Sequence, residues 1–373
     1  MAPAAQLNSV FKVVVGATRY SHPGGRIDKR RAAYDMETNG FIAGIPKVEL
    51  HLHIEGTLEP ELKFDLAKRN GIDLPFNTPD EVRESYDFTD LTSFLEIYYE
   101  SMEVLLQPED FYDLAMAYFK KVASQNVRYV EIFFDPQAHT SRGVSFDTVI
   151  TGLRRAQLEA EQSLGLSSAL IMCFLRDFSP EYAMATLLES LPYKSWILGV
   201  GLDSDENGNP PEKFAKVFAR ARDEGYLLTM HCDVDIPGSI DHIRQVIEDI
   251  GVERIDHGTN VIEDPELVQY LVDNSIGLTS CPISNTWVAE DSRAHIAKEL
   301  AERGVKVTLN SDDPAYFRGY MNENYQRFAD DTGADNDLLI TLANNAVDIS
   351  WAPPRLKEQL RAEIEEYAAD QQK

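Results

Sequence analysis

The chain has 373 residues, 62 of them acidic against 35 Lys and Arg, so its formal net charge is −27. That balance excludes a broad basic face for nucleic-acid phosphates and argues against binding to an anionic membrane surface. With 43% apolar residues the length allows one large domain or two smaller ones, and a core that needs no staples.

Cys173, Cys232 and Cys281 are odd in number and far apart. They suit a reducing compartment and not a disulfide framework. No apolar run approaches the roughly 18 residues of a membrane span. A cytoplasmic protein is expected, with the nucleus also open to it. Residues 1–40 read as an N-terminal extension, because Pro23, Gly24 and Gly25 break any periodicity. The basic stretch Arg19–Arg31 leaves an organelle-targeting leader as an alternative, against which Asp28 and the few serines count.

Residues 41–373 read as a single domain. Short apolar runs alternate with helical patterns from Val48 onward. The expected strands are Val48–Ile54, Tyr129–Phe134, Ala169–Leu175, Ile197–Leu202, Tyr226–His231, Arg254–His257, Ile276–Cys281 and Lys306–Asn310. Helical stretches include Pro60–Asn70, Pro108–Ser124, Phe146–Gly165 and Pro211–Asp223, with Ser179 as an N-cap before Pro180. In the tail, Leu356, Leu360, Ile364 and Tyr367 fall at helical spacing. This alternation predicts parallel βαβ units, and its count and size predict an α/β fold: a (β/α)8 barrel. An open doubly wound sheet is the alternative. The segment 57–128 is too long for one crossover and is expected to add helices over the barrel mouth.

In such a barrel chemistry sits at the C-terminal ends of the strands. The ends here read His51-Leu52-His53, Asp135-Pro136-Gln137, Gly201-Leu202-Asp203-Ser204, His231-Cys232-Asp233, Asp256-His257-Gly258, Cys281-Pro282 and Ser311-Asp312-Asp313-Pro314. Four of the eight histidines fall at these ends. His51 and His53 are i and i+2 on a strand, so they share a side, about 7 Å apart, and can converge on one ion. With His231 and Asp312 they make a nitrogen/oxygen set suited to Zn²⁺, with Fe²⁺ or another divalent ion also open. His257 is either a base for a metal-activated water or a residue that simply closes its strand. Asp312 and Asp313, adjacent in extended backbone, are expected to point to opposite sides, one toward metal and one toward substrate. Glu55 is expected to support the site or to cap the next helix.

The segments Val48–Gly56, Arg254–Gly258, Cys281–Asn285 and Leu309–Pro314 resemble, in order, the adenosine/adenine deaminase family of the amidohydrolase superfamily. The resemblance runs from about Ile45 to the tail. Tyr129–Gln137, Ile171–Leu175 and Gly199–Ser204 are more similar to the adenine-deaminase branch. The resemblance implies a distorted barrel with one Zn²⁺ per chain, held by His51, His53, His231 and Asp312. It implies that His257 deprotonates the water, that Asp313 hydrogen-bonds the purine N7, and that Gly201 and Ser204 bind a small purine substrate. The implied reaction converts adenine, or a closely related 6-aminopurine, to hypoxanthine and ammonia. Two departures stand out. Family members commonly read His-Ala-Gly-Glu where this chain reads His231-Cys232-Asp233-Val234, so the usual proton donor to N1 is missing. Either Asp233 or Asp235 takes that role, with Asp235 favoured because Pro237 stiffens its turn, or the chemistry differs. The second departure, Asp205-Glu206 after Ser204, is expected to place an extra carboxylate near the ring. The alternatives are a deaminase of adenosine or of N6-substituted adenine, and a relative that binds metal and purine without turnover.

Overall fold

The computed structural model describes residues 38–232, 236, 239–289 and 291–371. Most of the expected extension, and with it Asp233, Val234 and Asp235, lies outside the described residues.

The strands are β1 Lys47–Glu49, β2 Val127–Phe134, β3 Ser167–Leu175, β4 Ile197–Asp203, β5 Leu227–Cys232, β6 Arg254–His257, β7 Gly277–Ser280 and β8 Val307–Leu309. Each pairs in parallel with the next in chain order. The circle closes beyond β8 without a full ladder. His53 donates its backbone N–H to the Asp312 carbonyl at 3.0 Å, and Asp312 donates to that of His51 at 3.1 Å. The result is the nearly closed (β/α)8 barrel that the alternation predicts. Its strands are buried on both faces, since helices cover the outside and side chains fill the inside.

The expected helices form at Pro60–Asn70, Pro108–Ala123 and Phe146–Leu164, and the tail helix spans Pro354–Gln371. Ser179 caps Pro180–Ser190 by accepting from the Tyr182 N–H. Two expectations need correction. Pro211–Asp223 is a 3-10 turn, Pro211–Phe214, followed by the helix Ala215–Asp223. The first strand stops at Glu49 instead of reaching Ile54, because the Asn310 side chain replaces a backbone partner there and accepts from the Leu50 N–H at 2.8 Å.

Between β1 and β2 the chain adds Pro79–Ser85 and Leu91–Ser101 to the two helices named above. Leu91–Ser101 starts at a capping box made by Asp90 and Ser93. Its Leu91, Phe94, Leu95, Tyr98 and Tyr99 fall at i, i+3, i+4, i+7 and i+8, one helical face. That face forms a roof over the strand ends. Among the described residues no helix is long and apolar enough to cross a membrane.

Candidate active site

The roof and the strand ends line an open cavity. His53, Asp135, Asp203, Ser204, Glu206, His231, His257, Asp312 and Asp313 supply its polar wall; Phe94, Tyr98, Tyr99 and Phe317 supply much of the apolar one. His51 lies just beneath, fully buried.

Hydrogen bonds fix where the protons of two imidazoles sit, and an ion pair does so for a third. His231 Nδ1 faces the Leu202 carbonyl at 3.0 Å, an acceptor only, so Nδ1 carries the hydrogen. His51 Nδ1 faces Thr279 Oγ1 at 2.8 Å, and that hydroxyl donates to Asp256 Oδ1 at 3.1 Å. The His51 hydrogen therefore also sits on Nδ1. His53 Nδ1 lies 3.4 Å from Asp203 Oδ2, with the same consequence. In the neutral rings all three Nε2 atoms then present lone pairs, and they converge. His231 Nε2 is 3.1 Å from both His51 Nε2 and His53 Nε2. Asp312 Oδ1 is 3.3 Å from His51 Nε2 and 3.5 Å from His53 Nε2.

Acceptors this close repel unless a cation lies between them. These donor separations of 3.1–3.5 Å are short enough for all four groups to reach one divalent ion. The donor set and spacing fit a divalent ion, and the Nδ1 bonds supply the outer contacts that orient such ligands. The electrostatics agree. Burial lowers His51 to about 3 and His231 well below the ordinary histidine range, so both rings are neutral. Burial also works to lower His53, but the carboxylates of Asp313, Asp203 and Asp312 outweigh it and raise that ring to about 10. With no ion between the rings, a proton on His53 supplies the positive charge that the carboxylates demand. Burial pushes Asp312 up, yet the three surrounding histidines His51, His257 and His53 hold it well below the carboxylate range.

His257 stands where the strand-end reading expects it. Its Nε2 is 3.6 Å from Asp312 Oδ2, its Nδ1 is buried without a hydrogen-bond partner among the described residues, and burial keeps the ring below the ordinary range. Asp313 does not follow the expected alternation. Asp312 adopts φ +67°, which turns the chain so that both carboxylates approach His53 on the same side. Burial, then the Asp312 charge, pushes Asp313 well above the carboxylate range.

Ser204 lines the cavity and accepts from the Tyr99 hydroxyl at 2.8 Å, tying the roof to the end of β4. Gly201 is not among the residues that line the cavity; an added Cβ there would lie 2.6 Å from Cys173 Sγ. Asp205 does not line the cavity either. Its Oδ1 accepts from the Asn207 N–H at 3.0 Å, and Glu206 faces the cavity instead. The reason is again local backbone, since Ser204 adopts φ +75°. Glu55 supports the site and caps no helix: its Oε1 accepts from the Asp135 N–H at 3.1 Å and meets His139 Nε2 at 2.8 Å.

Sequence reasoning passed over Asp135 and Asp203 as site residues although both end strands, the same signal that picks out Asp312. Burial, then the Asp203 and Glu55 carboxylates, raises Asp135 well above the carboxylate range. It also passed over the roof stripe from Leu91 to Tyr99, whose helical spacing is plain in the sequence.

A family model described as adenosine deaminase matches residues 46–367. An adenine deaminase of Chlorobium phaeobacteroides is 49% identical over 331 residues, covering 88% of this chain and 98% of its own length. The crystal structure of an adenine deaminase from Arthrobacter aurescens superposes with a TM-score of 0.84 at 42% identity, over 87% of this chain and 99% of that one. An amidohydrolase of Burkholderia ambifaria, solved with bound zinc, shares the fold with a TM-score of 0.81 at 24% identity, over 90% and 96% of the two chains.

Proposed function

The chain belongs to the adenosine deaminase family, and from that premise we propose that it is a hydrolase that deaminates adenine to hypoxanthine and ammonia with one zinc ion per chain. The observation that carries the proposal is the convergence of three imidazole lone pairs and one carboxylate at zinc spacing on the cavity floor. His51, His53, His231 and Asp312 would hold the ion. When bound, it lowers the pKa of water and so provides a nucleophile near neutral pH.

The chain's own groups would do the rest. His257, held neutral by burial, takes a proton from the attacking water as its oxygen adds to C6. Asp235, or Asp233 in its place, gives a proton to N1 as charge builds there. The proton on His257 passes to the 6-amino nitrogen, the C6–N bond breaks, and ammonia leaves. The proton remaining on the new C6 oxygen returns to the aspartate, and N1 keeps its hydrogen in hypoxanthine. Asp313, in the protonated form that its burial favours, donates to N7. The roof aromatics Phe94, Tyr98 and Tyr99 offer the flat ring an apolar cover. The three cysteines are free and buried, which supports a cytoplasmic setting.

The test is a steady-state assay of zinc-loaded protein on adenine, N6-methyladenine and adenosine, with ammonia as the readout. Adenine should turn over with kcat/KM above about 10⁴ M⁻¹s⁻¹, and a chelator should abolish it. Folded, zinc-bound protein that binds adenine but releases no ammonia would replace this reading with that of a binding protein.

A further inference from the structure

Glu206 is 4% exposed, lines the cavity, and has one carboxylate oxygen engaged and one not. Its Oε1 accepts from Arg176 Nη1 at 3.1 Å. The Arg176 side chain is itself fully buried and fixed on both sides. The same Nη1 donates to the His231 carbonyl at 3.1 Å, and Nε donates to the Asn209 carbonyl at 3.0 Å. One rigid guanidinium thus ties Glu206 to the backbone of a residue at the metal centre. Glu206 Oε2 is buried and has no hydrogen-bond partner among the described residues. An acceptor left this way is costly unless a ligand supplies a donor.

We propose that Glu206 selects a free purine base, its Oε2 accepting the ring N–H at N9, a hydrogen that nucleosides and nucleotides lack. This rests on the adenine reading above. That reading places C6 over the metal centre, N7 at Asp313 after β8, and N1 at the segment after β5. The edge that continues from N1 through N3 to N9 then meets the neighbouring strand, β4, whose C-terminal turn carries Glu206. A sugar on N9 removes the donor and leaves the carboxylate oxygen unpaired.

The experiment compares adenine with 9-methyladenine, which keeps every polar group except the N9 hydrogen. Sites built around a substrate N–H reject an analogue without it by about 10⁴–10⁵-fold, and the unaltered chain should show a preference approaching that size. In Glu206→Gln, Arg176 should hold the amide oxygen and turn the NH₂ into the cavity, where it opposes the ring donor. Adenine kcat/KM should fall by about 10²-fold or more with 9-methyladenine little changed, so the ratio collapses. Zinc content and melting temperature should stay as in the unaltered chain. A variant that keeps the ratio, or loses both substrates equally, overturns the assignment. If the unaltered chain turns over neither compound, the deaminase reading fails by itself. Calorimetric binding of the same two compounds to both proteins then decides the Glu206 assignment, and equal affinities for adenine and 9-methyladenine would end it.

Discussion

Ser204, His257 and Asp312 all adopt positive φ, at +75°, +59° and +67°, and all end strands at the barrel mouth. Non-glycine residues seldom hold this conformation, and it persists where the surroundings enforce it. Here it decides which side chains meet: it aims two adjacent aspartates at one ring and turns Glu206, not Asp205, inward. The segment after His231 needs the same kind of decision, because Val234 stands where a proton donor is required. Asp235→Asn should lower kcat for adenine by about 10²–10⁴-fold, the usual contribution of a general acid, with KM and zinc content nearly unchanged. Asp233→Asn should have a much smaller effect. The reverse order would move the role to Asp233, and two mild effects would remove it from both.

At the scale of elements, the barrel and its candidate metal centre are legible in the sequence because two simple rules generate them. Beyond the end of β1 the chain keeps bridging its neighbours, which gathers His51 and His53 to the mouth, and the strand-end rule brings His231, His257 and Asp312 there. Alternation fails where φ turns positive, so the orientations of Asp313 and Asp205 could not be read that way. The roof helix Leu91–Ser101 was legible as a stripe, but nothing local says what a stripe will cover. Its function depends on Tyr99, which fastens it to Ser204. Tyr99→Phe keeps the ring and removes only that bond, a loss of about 1 kcal/mol of fixation. The roof should open more often, raising KM for adenine several-fold while kcat changes little. A large fall in kcat at constant KM would instead place the Tyr99 hydroxyl in the chemistry.

Over the whole molecule, the two ends of the barrel are neutralised differently. Toward its floor the chain supplies its own cations: Arg254 pairs with Glu131 beneath Trp351, and Lys47 donates to the Ile45 and Gln125 carbonyls at 3.0 and 3.1 Å. At the mouth, Asp135, Asp203, Glu206, Asp312 and Asp313 crowd one cavity, and buried Arg176 pairs with Glu206 there. Protons or a bound ion must supply the missing positive charge, and in the proposed zinc form metal affinity and folding stability are linked there. An ion that binds only the folded state adds RT ln(1 + [L]/Kd), about 2.7 kcal/mol at a hundredfold excess over Kd. In a chain of this size that is worth several degrees of melting temperature. Chelated protein should therefore melt several degrees lower, and added zinc should restore the midpoint in steps proportional to the logarithm of its concentration. Asp312→Asn removes the negative corner of the ligand set while keeping its shape, so its melting temperature should be nearly insensitive to zinc. A midpoint in the unaltered chain that ignores both chelator and zinc would mean that the converging histidines hold no ion in solution, and the proposed activity would lose its foundation.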